Sequence, residues 1–230
     1  MTIKAFWTDP YQVRHETTVD TVSGNDVTLR STIFFALSGG QESDQGSIAG
    51  YRVERAVKTG PAIVYTLQEG HTLRPGQAVS IEIEWPRRYK LMRLHFAAEL
   101  VLELIYRRFP EVRKLGAHIA QEKARMDFAL PHSIAPCLPE LAEAANAIVQ
   151  SDMPVASEFE DPATERRFWA IEGLSRVPCG GTNIRRTGEV GRIKLRRHNV
   201  GREKERVEIT VEEAICVPEV RAAPAERQLA

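Results

Sequence analysis

Cysteine is scarce in this chain: Cys137, Cys179 and Cys216 are its only three in 230 residues, an odd number at wide spacing. That excludes a disulfide framework as the source of its stability. Net charge is also lacking, with 31 Lys+Arg against 31 Asp+Glu, so the molecule as a whole does not advertise a polyanionic partner. No apolar run approaches the roughly 20 residues of a membrane span. The stretch from Met1 to Asp20 is polar and alternating rather than a charged head followed by an apolar block. The expectation is a cytoplasmic protein without a membrane. Nothing resembles a phosphate-binding loop of the nucleotide-hydrolase kind, and no internal repeat is present.

What is there fits an ordinary globular protein, 43% hydrophobic and 27% charged, long enough for one large domain or two modest ones. From Tyr11 to about Trp85 short alternating runs are broken by Ser23-Gly24-Asn25-Asp26, Gly39-Gly40, Gly60-Pro61 and Arg74-Pro75-Gly76. This reads as a small β-barrel or sandwich. Pro86 marks a switch. From Arg87 to Arg108 the residues Leu91, Leu94, Ala98, Val101, Leu102 and Ile105 recur at helical spacing and form one apolar face. His95 falls on the edge of that face and Glu99 one turn further on, which puts the pair at the lip of a core.

Beyond Pro110 the pattern predicts strands near 117–120 and 124–129, a helix over 140–149, a strand near 154–159, a short helix over 162–168, and strands around 191–197 and 206–211. The fold class is α+β, with helices against one sheet. The domains are 1–86, β-barrel-like and carrying the Gly39-Gly40 pair, and 87–216, α+β, followed by a loose Ala- and Pro-rich tail, 217–230.

Two short words carry the chemistry. His95-x3-Glu99 places a nitrogen and a carboxylate on one side of a helix. Cys179-Gly180-Gly181-Thr182-Asn183 joins a thiol to two glycines whose freedom lets main-chain amides approach a bound group and stabilise an oxyanion. His95, Glu99 and Cys179 would supply N, O and S ligands, and three protein ligands plus water describe a catalytic zinc centre. Glu99 is alternatively a general base, or one member of a surface ion pair with Arg93, Lys90 or Arg107. Cys179 is alternatively a small buried hydrophobe. His118 and His132 could complete a coordination shell, but neither has a partner at ligand spacing. Arg125-Met126-Asp127-Phe128 reads as a strand whose charges brace a pocket or simply face solvent.

These words occur in a fixed order with Gly116-Ala117-His118-Ile119, with Ile184-Arg185-Arg186-Thr187-Gly188-Glu189-Val190-Gly191 directly after Asn183, and with Phe34-Phe35-Ala36-Leu37-Ser38-Gly39-Gly40-Gln41-Glu42 upstream. Together, from about Asp9 to Thr210, they resemble the editing domain of alanyl-tRNA synthetase and its freestanding AlaX-type trans-editing relatives. The resemblance implies a second domain like the additional domain of threonyl- and alanyl-tRNA synthetases. It implies hydrolysis of the ester joining serine or glycine to alanine tRNA. It also implies a zinc site built from a His-x3-His and a Cys-x3-His pair. Glu99 and Asn183 stand here where the second histidine of each pair would be. Glu99 is a competent ligand; Asn183 is a poor one whose amide can still hydrogen-bond a ligand or water.

In the same resemblance Gly39, Gly40 and Gln41 face the amino-acid pocket with Gly180, Gly181, Thr182 and Asn183, although Gly39-Gly40 also reads as a plain hairpin turn. Between Arg185 and Arg206 there are nine Lys/Arg, among them Arg185, Arg186, Arg196 and Arg197, against three Glu. They would hold a tRNA backbone, or they are solvated faces of strands. Two other functions stay open: a catalytically degenerate protein that binds tRNA or its aminoacyl end, and a hydrolase of another aminoacyl ester. At this length no room is left for an adenylating domain.

Overall fold

The computed structural model describes residues 2–212; Cys216 and the expected loose tail lie outside them. The described residues form a mixed structure of strands and two α-helices. By internal packing they divide into two units, 2–38 with 43–89, and Gly39–Glu42 with 90–212.

The first unit holds β1 (Ile3–Lys4), β2 (Arg14–Ser23), β3 (Asp26–Leu29), β4 (Ser31–Thr32), β5 (Gly46–Ile48), β6 (Tyr51–Thr59), β7 (Ala62–Leu67) and β8 (Ala78–Ile83). Six of them close into a ring in the order β2-β3-β7-β6-β5-β8. Every pairing in it is antiparallel. The alternation expected from the sequence is the cause: in β7 Ile63, Tyr65 and Leu67 are buried and the residues between them less so. Two-residue turns at Gly24-Asn25 and Gly60-Pro61 fix two of the hairpins, with Gly24 at φ +60° and Gly60 at φ +57°.

Inside this unit Arg88 and Asp44, both fully buried, pair side chain to side chain. Arg88 Nε donates to Asp44 Oδ1 at 2.8 Å, and Nη1 and Nη2 donate to the carbonyls of Pro10 and Ile33. Asp44 also accepts the Phe35 N–H at 2.6 Å. The charges of both groups are therefore satisfied, as burial requires.

Helix α1 (Trp85–Arg108) starts with Pro86 at its second residue, where no donor is lost, and ends with Arg107 and Arg108 at its negative pole. It departs from expectation in one respect. Rather than one apolar face it has an unbroken buried run from Leu91 to Ala98, with Met92, Phe96 and Ala97 as fully buried as Leu91. His95 is consequently buried, 7% exposed, and not at the lip of a core.

The second unit contains β9 (Arg113–Ile119), β10 (Ala124–Ala129), α2 (Leu138–Gln150), β11 (Ala156–Asp161), β12 (Arg166–Ile171), β13 (Ser175–Pro178), β14 (Ile193–Asn199) and β15 (Lys204–Val211). In place of the single sheet expected there are two, β14-β15-β10-β9 and β11-β12-β13. Asn146 of α2 clasps the first by bonding both the N–H and the C=O of Ile193. The short helix expected over 162–168 does not form. Asp161 accepts from the Ala163 N–H and the Thr164 hydroxyl, turning the chain. Residues 166–171 then alternate exposed and buried as β12, because a strand period of two outcompetes helix propensity there.

Candidate functional site

Three side chains of the second unit converge. Helix α1 carries His95 and Glu99 one turn apart, with His95 Nε2 3.1 Å from Glu99 Oε1. Cys179, just beyond β13, brings its Sγ to 3.4 Å from the same Nε2. Its place is set by its own N–H, which donates to the Arg167 carbonyl at 2.8 Å and so continues the β12–β13 pairing. One ligand atom from each of the three lies within 4.8 Å of the others. Tetrahedral zinc, with bonds of about 2.0–2.3 Å, needs its ligand atoms about 3.3–3.8 Å apart. The two separations from His95 Nε2, 3.1 and 3.4 Å, lie near that range, and the N, O and S donor set suits a small divalent ion. Neither His118 nor His132 joins this group; His118 pairs instead with Glu42 at 3.3 Å.

The other nitrogen of His95, Nδ1, faces Gln41 Oε1 at 2.5 Å, and Gln41 Nε2 donates to Thr182 Oγ1 at 3.2 Å. Since the amide oxygen only accepts, Nδ1 donates its proton to Gln41, and Nε2 is the nitrogen turned toward Glu99 and Cys179, where a bound metal would take the place of its proton. Gln41, fully buried, is held by its backbone: Gly40 O accepts from Ile119 N–H at 2.7 Å and Glu42 N–H donates to Ile119 O at 3.0 Å. Gly40 sits at φ +88°, and a Cβ on it would meet Ala117 O at 2.5 Å. Gly40 is therefore the close-approach member of the double glycine, letting a strand-like segment lie against β9.

Gly181 serves the same end at the other word. A Cβ there would lie 2.2 Å from His95 Cε1, so the imidazole rests against bare backbone. Gly180 is exposed, while Thr182 and Asn183 are buried. Asn183 Oδ1 is 3.6 Å from Cys179 Sγ, and its Nδ2 donates to Ser157 Oγ at 3.2 Å. Ser157 Oγ also accepts from Arg167 Nη2 at 3.2 Å.

Glu99 makes none of the surface ion pairs considered for it. Its Oε2 accepts the indole N–H of Trp169 at 2.5 Å. Arg93 instead bonds the Val190 carbonyl, and Arg107 bonds Glu103. Burial alone would push the His95 imidazole down. The Glu99 carboxylate and the Cys179 sulfur outweigh it and hold the ring well above its usual range. Burial likewise would raise Glu99, but His95 beside it keeps the carboxyl below the ordinary value.

Sequence reasoning missed Trp169, Ser157 and Arg167. They lie on β11 and β12, reach the α1 and Cys179 words only through sheet pairing, and no spacing signal marks them. The basic stretch is partly committed to structure. Arg186 Nε bonds Asp152 at 2.8 Å, Arg197 clamps Glu205 with two bonds of 2.6 Å, and Arg206 holds Asp127. Arg185 and Arg196 are exposed. Arg125 and Asp127 lie on β10, where Asp127 opposes Arg206 of β15 in register.

No family profile matches the chain. Individual relatives do. It is 31% identical over 216 residues to the alanyl-tRNA editing protein AlaX-M of Pyrococcus horikoshii, spanning 92% of this chain and 99% of that protein. AlaX-M of Saccharolobus solfataricus is 30% identical over 237 residues, with 92% and 99% covered. The alanine–tRNA ligase of Pyrobaculum aerophilum is 32% identical over 232 residues, which are 85% of this chain and 25% of the ligase. These matches define an editing-domain homologue, related both to freestanding proteins and to part of a synthetase. More narrowly, the chain belongs to the AlaX-M family of alanyl-tRNA editing proteins.

Proposed function

We propose that this protein edits alanyl-tRNA in trans, hydrolysing the ester that links serine or glycine to alanine tRNA. The observation that carries the reading is the convergence of His95 Nε2, Glu99 Oε1 and Cys179 Sγ at a buried point, with Nδ1 tied off by Gln41. His95, Glu99 and Cys179 would hold zinc, with Asn183 Oδ1 beside the thiol. When bound, the ion supplies a polarised carbonyl or an activated water. Both oxygens of Glu99 are engaged, Oε2 by Trp169 and Oε1 toward His95, which favours the ligand role over a free base. Aminoacyl esters are labile, so orienting one carbonyl against bound water goes far toward the rate.

In this reading Gly39, Gly40, Gln41 and Gly180 to Asn183 border the amino-acid pocket of an editing domain spanning 87–216, and residues 1–86 form its accessory β-barrel-like domain. The tRNA backbone runs over exposed arginines such as Arg185 and Arg196. The site lies in the cytoplasm, where charged tRNA is found.

The test combines zinc content of protein purified without chelator with deacylation of seryl- and glycyl-tRNA on the alanine tRNA body. Stoichiometric zinc with turnover above the uncatalysed rate is expected. Tight tRNA binding without turnover would instead establish the binding-only alternative.

A further inference from the structure

The residue standing at position 99 comes with a partner. Trp169, in the middle strand of the β11-β12-β13 sheet, is 0% exposed. Its ring lies 5.0 Å from that of Phe96, centroid to centroid. Its Nε1–H donates to Glu99 Oε2 at 2.5 Å. An indole nitrogen only donates, so position 99 must offer an acceptor at that place. A carboxylate does so with one oxygen and keeps the other, Oε1, 3.1 Å from His95 Nε2. A neutral imidazole bound to a metal through one nitrogen carries its proton on the other. A histidine at 99 would thus meet the indole N–H with a second N–H, and two buried donors cannot satisfy each other.

We propose that Trp169 is a positioning residue: it fixes the Glu99 carboxylate with Oε1 toward His95 and Cys179, and so makes this metal site depend on a carboxylate and reject histidine at 99. The inference rests on the metal reading above.

Zinc affinity, measured by chelator competition on the full chain, tests it in wild type, W169F, E99H and the E99H/W169F double variant. Wild type binds zinc. W169F binds about 10–100-fold more weakly, the usual cost of removing a partner that orients a ligand. E99H also binds more weakly than wild type, yet adding W169F to E99H strengthens binding. That reversal of sign is the signature, because any packing cost of the smaller ring weakens both backgrounds alike. A W169F effect that is absent, or equal in both backgrounds, overturns the proposal, as does E99H binding zinc more tightly than wild type while Trp169 is in place. Wild type without zinc affinity overturns the metal reading itself, and this inference with it. If circular dichroism shows W169F unfolded, benzothienylalanine at 169, which keeps the bicyclic ring and replaces N–H by sulfur, is measured in the same two backgrounds with the same criteria.

Discussion

Gly181 shows how a residue with no side chain can decide a site. The His95 ring is held on one edge by Gln41 and lies where a Cβ at 181 would be 2.2 Å from Cε1. Neither partner is free to yield, since His95 is buried on α1 and Gly181 follows directly on the Cys179 turn. Gly181→Ala should displace the imidazole, and a shift on that scale costs about 100-fold in catalysis; deacylation rate and zinc content check it together. Gln41→Leu tests the opposite edge. It keeps the volume and removes the acceptor for Nδ1–H, so the tautomer is no longer enforced and zinc affinity should fall by about 10–100-fold. An unchanged affinity would reduce Gln41 to a packing residue. That His95 and Glu99 share one side of α1 was legible because their spacing is local, whereas Cys179 was joined to them only by the family resemblance. Trp169 and Ser157 were not legible, since their roles exist only once β12 and β11 are folded beside α1 and Asn183.

At the scale of elements, ring strands and both helices were readable wherever burial follows one period. Helix α1 was misjudged for a physical reason. A helix buried over most of its circumference spreads apolar residues such as Met92, Phe96 and Leu100 around the axis, so counting one face finds only part of the pattern. The stretch 162–168 failed because the turn was written in Asp161 and its bonds to Ala163 and Thr164, not in propensity. Two ion pairs set expectations for stability. Asp44→Ala leaves the Arg88 guanidinium buried without its anion and should cost about 3–5 kcal/mol, read from urea unfolding. On the second unit, Arg206 beside Asp127 holds that carboxyl below its ordinary value. A depressed carboxylate stabilises the fold fully above its unfolded pKa, and the contribution is lost as pH falls through the folded one. Asp127→Asn should therefore lower Tm at neutral pH, and the difference from wild type should vanish in acid below the usual carboxylate range.

For the whole molecule the zero net charge conceals a local excess, and the structure sorts its members. Arg186, Arg197 and Arg206 are bonded to Asp152, Glu205 and Asp127, and Lys194 lies 2.5 Å from Glu212. Reversing Arg197 would break a clamp between β14 and β15 and confuse affinity with stability. Arg192 and Arg196 are exposed on or beside β14 and make the cleaner probe. If they neutralise tRNA phosphates, each contact releases about 0.7–0.9 of a counterion. The double variant R192E/R196E should then bind alanine tRNA more weakly and flatten the plot of log K against log salt by about two units, without changing preference between seryl and glycyl esters. Base-independent contacts have no other route to affinity, so the salt slope separates them from a merely solvated strand face. Weaker binding at an unchanged slope would mean that the substitutions disturbed the fold, and an unchanged affinity would return the stretch to ordinary surface charge.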